Sequence, residues 1–146
     1  MPEPLLVQRE IQIAAAPATV FAFLTDPEKI VSWMGAEATT EAQPGGLYLV
    51  KGARRTARGE FLEVVPVHRL AYSFGWEGSE VVPPGSSLIE IDLIDRDGGT
   101  LLRIAHSGLP NAEQCVSHDR GWVHYLSRLA IAATGRNPGV DHGPHA

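Results

Sequence analysis

The sequence predicts an α+β fold, and three observations carry that prediction. Period-two alternation of apolar and polar residues recurs up to Ser107, two short proline-started helical segments interrupt it early, and one long stripe of period 3.6 follows Pro110. Runs of consecutive strands with helices grouped apart from them build an antiparallel sheet, in contrast to the strand–helix alternation of a parallel one.

From Leu6 to Ile13, Val7, Ile11 and Ile13 share one face while Gln8, Glu10 and Gln12 share the other, which is the pattern of a half-buried strand. Ala16-Pro17 starts a helix, because proline at a first helical position lacks only a donor that would be unsatisfied there anyway, and Val20, Phe21 and Leu24 follow at helical spacing. Thr25-Asp26-Pro27-Glu28 starts a second short helix with Asp26 as its N-cap and Trp33 near its end. Ala36 to Ala42 reads as a weak strand, and Pro44-Gly45-Gly46 turns the chain into a strand over Leu47 to Lys51. Arg58 to Val65 and Arg69 to Trp76 are two further strands joined by Pro66-Val67-His68. In the second of them Leu70, Tyr72, Phe74 and Trp76 share a face, so four large side chains point to the core.

Glu77 to Ser86 carries two glycines and two prolines and is read as a loop. Alternation returns over Ser87 to Ile94, Asp97-Gly98-Gly99 supplies a hairpin turn, and Thr100 to Ser107 is the last strand. Trp122, Tyr125, Leu126, Leu129 and Ala133 then form one helical stripe ending at Gly135. At about 1.5 Å per residue, a helix over Glu113 to Thr134 spans roughly 33 Å. Arg136 to Ala146, rich in proline, glycine and histidine, is expected to be a flexible tail.

A chain of 146 residues that is 44% hydrophobic and 20% charged suits one soluble domain, long enough to bury roughly 70% of the surface its unfolded form exposes. The formal charge of −5 leaves no positive surplus to neutralise phosphates, and the one basic run, Arg54, Arg55 and Arg58, is short, so nucleic acid is not an expected partner. Cys115 is the single cysteine, which excludes an intrachain disulfide and a cysteine zinc cluster. Met1 to Val7 has no basic stretch followed by a long apolar run, and no segment approaches the ~20 apolar residues that span a bilayer. A cytoplasmic protein without membrane contact is the expectation.

Taken in order, the motifs resemble the activator-of-heat-shock-protein-90-ATPase-like family of the START-like (SRPBCC) superfamily. They are Ala16-Pro17 with Val20-Phe21, Thr25-Asp26-Pro27-Glu28 before Trp33, Pro44-Gly45-Gly46, Gly59 with Val64-Val65-Pro66, and Arg69-Leu70 with Phe74 and Trp76. Gly99-Thr100-Leu101-Leu102, His106 with Gly108-Leu109, and Gly121-Trp122 complete the set. The resemblance implies a helix-grip fold: a curved seven-stranded antiparallel sheet wrapped around a long C-terminal helix, with an apolar cavity between them. One such domain would occupy residues 1–135, followed by the tail at 136–146. Similar proteins include ligand carriers, polyketide cyclases and a co-chaperone domain, so fold transfers further than function.

Strand parity then asks which polar groups face inward. His106 falls on the side of Thr100, Leu102 and Ile104. Arg9 falls with Val7 and Ile11, and Glu60 with Leu62 and Val64. Such groups either orient the polar end of a ligand or serve as structural, strand-end or ion-pair residues. Trp33, Tyr48, Tyr72, Phe74, Trp76 and Trp122 are candidates to line a pocket for a ring-bearing molecule, with core packing as the alternative, most directly for Phe74 and Trp122. The tryptophans and tyrosines of this set, with Ile91, Ile104 and Leu126 and with Glu60 and His106, make up the expected ligand-binding set.

His118 and His124 are six apart, which is not the i, i+4 spacing of a helical metal pair, and His142 and His145 lie in the tail. Neither a metal nor a cofactor is expected. Ser107 and Ser117 lack a nucleophile-elbow pattern, and Gly45-Gly46 precedes a strand, so neither a hydrolase triad nor a phosphate loop is supported. The expected function is binding of a small hydrophobic or aromatic ligand between sheet and helix. A cyclase- or hydrolase-type enzyme using His106 or Glu60, and a stress-related or chaperone-associated interaction module, are the alternatives. Homodimer formation is left open.

Overall fold

The structure is a computed structural model and describes residues 5–52 and 54–144; His145, one of the tail histidines, and the start of the N-terminal segment Met1 to Val7 lie outside the described residues. The elements run β1 (Leu6–Ile13), α1 (Pro17–Thr25), α2 (Pro27–Ile30), β2 (Glu37–Thr40), β3 (Leu47–Lys51), β4 (Thr56–Val65), β5 (Arg69–Phe74), β6 (Ser87–Arg96), β7 (Gly99–Ser107) and α3 (Ala112–Ala132). The seven strands form one antiparallel sheet in the order β1-β7-β6-β5-β4-β3-β2. This is the α+β helix-grip architecture.

Local chemistry explains the boundaries. Pro17 occupies the first turn of α1, and the Asp26 carboxylate accepts from the Glu28 N–H at 3.0 Å to cap α2. α2 closes after a single turn, so Trp33 follows it in a turn. Asn111 caps α3 by accepting from the Gln114 N–H at 2.9 Å. Between β6 and β7, Asp97 at φ 51° and Gly98 at φ 75° supply the paired positive angles of a type I′ hairpin turn. Trp76 lies beyond the end of β5, where it keeps one bridge to Ala57.

Sheet and helix meet through a continuous core. Leu70, Tyr72 and Phe74 from β5, Ile89, Ile91 and Leu93 from β6, and Leu102 and Ile104 from β7 face Trp122, Leu126 and Leu129 of α3 and Val20 and Leu24 of α1. Each fully buried side chain of this kind contributes about 1.5–3 kcal/mol through surface removed from water. At the sheet edge, Arg9 forks onto Asp119 with two bonds of 2.7 Å and ties β1 to α3. On the opposite face Arg69 bridges Glu63, Glu90 and Asp92.

β4 departs from the expected parity. Ala57 and Phe61 are buried while Glu60 and Leu62 are exposed. A bulge between Phe61 and Glu63 shifts the register against β5, so the phase set by Val64 inverts upstream of it. Glu60 therefore points away from the helix side of the sheet. Gly59 sits where β4 lies close against β5, since a Cβ there would lie 1.7 Å from the Ser73 carbonyl oxygen.

Residues 136–144 carry no helix or strand. Buried Arg128 donates to the carbonyls of Trp33 at 2.8 Å, Pro138 at 3.2 Å and Gly139 at 2.9 Å, and Asp141 accepts from His124 at 3.1 Å. Among the described residues no helix is long and apolar enough to cross a membrane.

Candidate functional site

One face of α3 carries Ser117, His118, Gly121, Trp122 and Tyr125, residues at offsets of three and four that stand above one another. Opposite them lie Val50 of β3, Ala57 of β4, Phe74 of β5 and Trp76. The loop holding Arg54 and Arg55 and the segment Asp141–Pro144 complete the rim. They enclose a recess of about 340 Å³ whose walls are mainly apolar. That volume is at the low end of the ~300–1,000 Å³ of small-molecule sites. Gly121 helps to leave the space open, for a Cβ there would meet no atom within 4 Å.

Two histidines, His118 in the wall and His106 behind it, stand with their rings edge to face, 5.3 Å apart. His118 Nδ1–H donates to the Gln114 carbonyl at 2.8 Å, leaving Nε2 to accept the Trp76 indole N–H at 3.0 Å. His106 Nδ1 accepts the Trp122 indole N–H at 3.1 Å. Its Nε2–H donates to Ser87 Oγ at 2.8 Å, and that hydroxyl donates in turn to the Phe74 carbonyl at 2.8 Å. All four ring nitrogens are committed, and both rings are neutral in this arrangement.

Electrostatics agree with the bonding. Burial, and then the neighbouring His118, lower the His106 pKa to about 3. His118 is lowered chiefly by burial, with the positive charge of Arg55 adding to it against the Gln114 carbonyl. At the rim the Arg55 guanidinium lies 3.8 Å from the centre of the Trp76 ring. Burial raises the Tyr125 pKa, reinforced by Asp141 beside its hydroxyl.

Of the ten residues expected to contact a ligand, Trp76 and Trp122 line this recess. Trp33 is packed behind it, its N–H donated to the Phe23 carbonyl at 2.8 Å and its ring edge-on to Tyr125. Tyr48 and Tyr72 stack at 4.2 Å beside Phe61 in the closed interior, where burial pushes the Tyr48 hydroxyl up to about 12. Ile91, Ile104, His106 and Leu126 belong to the packed core, and Glu60 is exposed. The middle of the interface between sheet and helix is thus filled with side chains, and open space is found toward Trp76 and the C-terminal segment.

Arg55, His118, Tyr125 and Asp141 were not in the expected set. His118 was detectable, because it stands four residues before Trp122 and Tyr125 stands three after it on the same stripe. Arg55 and Asp141 reach the site through long-range folding, and local pattern carries no trace of it. Among the described residues no group of three or more histidines, cysteines, aspartates or glutamates is placed to hold a metal.

No curated protein matches the chain. Among solved structures it is similar to an AHSA1-like protein from Rhizobium etli, at 68% identity over 97% of this chain and 89% of that one, with a TM-score of 0.76. DynU16, a putative protein in the dynemicin biosynthetic locus, is 22% identical over 96% of this chain and 51% of its own, with a TM-score of 0.81. The Aha1 dimer from Colwellia psychrerythraea is 16% identical over 88% and 95%, with a TM-score of 0.77. The last two likenesses speak to fold alone. Residues 14–134 match the model of the Activator of Hsp90 ATPase homolog 1-like protein family, and with the Rhizobium etli relative this shows that the chain belongs to that family.

Proposed function

We propose that the protein binds a small hydrophobic or ring-bearing molecule in the recess beside α3, with Trp76 and Trp122 as its principal contacts. The observation that carries this reading is the state of the two indoles. Both N–H donors are already given to His118 and His106, so what the tryptophans offer a guest is apolar and π surface at the wall of a 340 Å³ space. A few polar groups at the rim, among them Arg55 and Tyr125, supply orientation, which is the usual composition of a small-molecule site.

The same bonding favours binding over acid–base catalysis. A general base needs a free lone pair within hydrogen-bond reach of a substrate proton, and neither imidazole has a ring nitrogen to spare. Titration of isotope-labelled protein with two-ring aromatic compounds, followed through the tryptophan indole signals, tests the proposal. Saturable shifts are expected at Trp76 and Trp122, and Gly121→Leu, which builds into the recess from α3, is expected to abolish them. Binding that survives Gly121→Leu unchanged would place the guest elsewhere.

A further inference from the structure

The charged groups facing the recess are unequally engaged. Asp141 is saturated: its carboxylate accepts from the Gly143 N–H at 2.8 Å, the Gly35 N–H at 3.4 Å and His124 Nε2 at 3.1 Å, with the Tyr125 hydroxyl beside it. His118 is neutral, since its Nε2 holds the Trp76 N–H. In the basic run, Arg58 is paired with Glu77 at 3.1 Å. Arg55 differs from all of these. Its guanidinium is positioned by the Trp76 ring at 3.8 Å, yet among the described residues no carboxylate lies within ion-pair distance of it.

A cation–π contact fixes the plane of a guanidinium and leaves its five N–H donors unsatisfied, because a ring face attracts the charge and accepts little else. Water satisfies those donors in an empty site. Beside an apolar wall, however, an anion that presents two oxygens side by side meets both the charge and the fork of donors, and the lower local dielectric strengthens the attraction. Partial burial depresses Arg55, and the opposite charge of such a ligand would offset that cost.

We infer that the molecule held in this recess bears an anionic group, a carboxylate or sulfonate, which Arg55 receives while the ring system lies against Trp76 and Trp122. This rests on the small-molecule reading above and adds to it a charge and an orientation. In a chain of net charge −5, the preference comes from Arg55 held against the Trp76 ring, with Arg54 also on the rim, and not from the overall field.

Two probes with nearly the same rings separate the possibilities: 8-anilinonaphthalene-1-sulfonate, an anion, and N-phenyl-1-naphthylamine, which is uncharged. The chain has three tryptophans, and Trp33, with its N–H on the Phe23 carbonyl and its ring behind Tyr125, does not line the recess. The sulfonate is expected to bind at least tenfold more tightly than the neutral compound, shifting the indole signals of Trp76 and Trp122 more than that of Trp33. Arg55→Gln is expected to weaken the sulfonate about tenfold or more and the neutral probe by far less, so that the two then bind alike. Equal affinity of the two probes in the unmodified protein, with both recess signals moving, would overturn the anion assignment and keep the small-molecule reading. Equal weakening of both probes by Arg55→Gln would overturn the role of Arg55, and no shift at Trp76 or Trp122 from either probe would overturn both readings.

Discussion

A single imidazole links three strands to the last helix. His106, on β7, takes the Trp122 N–H from α3 and gives its own proton to Ser87 on β6, which passes a bond to the Phe74 carbonyl of β5. Parity in β7 was enough to place His106 with Thr100, Leu102 and Ile104 on the inward side. Its partners are 16 and 19 residues distant, so the sequence alone left a structural and a ligand-facing role open. Replacing it with alanine strands a buried indole N–H, at about 1–3 kcal/mol, and opens a void the size of the ring. His106→Ala is expected to lose about 3 kcal/mol or more in urea unfolding. A catalytic residue at the surface of a pocket would show no such loss, and a near-neutral result would refute the structural role.

At the level of elements, two glycines show why the same substitution has opposite signs. Gly121 lies in the middle of α3 above open space, and glycine in a helix interior costs about 0.8–1 kcal/mol relative to alanine. Gly121→Ala is therefore expected to stabilise by roughly that amount, seen as a rise of about 2–4 °C in calorimetric melting for a chain of this size. Gly59→Ala in β4 is expected to destabilise by about 1–3 kcal/mol, because the added carbon meets the Ser73 backbone. The strands and the long helix were legible because each repeats its own period over several residues. The inversion in β4 was not, since a bulge is a property of the pairing with β5 and leaves the apolar pattern of either strand unchanged.

For the molecule as a whole, what the sequence could not show follows one rule: local period fixes which residues face inward, and long-range closure decides where inward-facing groups leave room. The recess needs β3, β4, β5, α3 and the segment from Asp141 together, and no stretch of chain encodes it alone. The same closure sets the response to acid. His106 ionises near 6.5 when unfolded and only at about 3 when folded, and His118 is depressed in the same direction. Below pH 6.5 the unfolded chain therefore binds protons that the native protein refuses, and by linkage stability falls as the pH falls. The His106 contribution is fully present above 6.5 and is lost progressively toward pH 3, at up to about 1.4 kcal/mol per pH unit, and His118 adds to it in the same direction. Asp119 and Asp141, held below the ordinary 3.8 by Arg9 and by the hydrogen bonds Asp141 accepts, add a further loss only at the acid end. The expected profile is a plateau at neutral pH and a decline that begins as the pH falls through 6.5. His106→Phe keeps the ring volume and removes one titrating group, so its curve should be shallower between about pH 6 and pH 4 by the share of one proton. Denaturant midpoints measured across that range decide the matter, and a wild-type curve flat down to pH 4 would mean that these imidazoles are not held neutral by the fold.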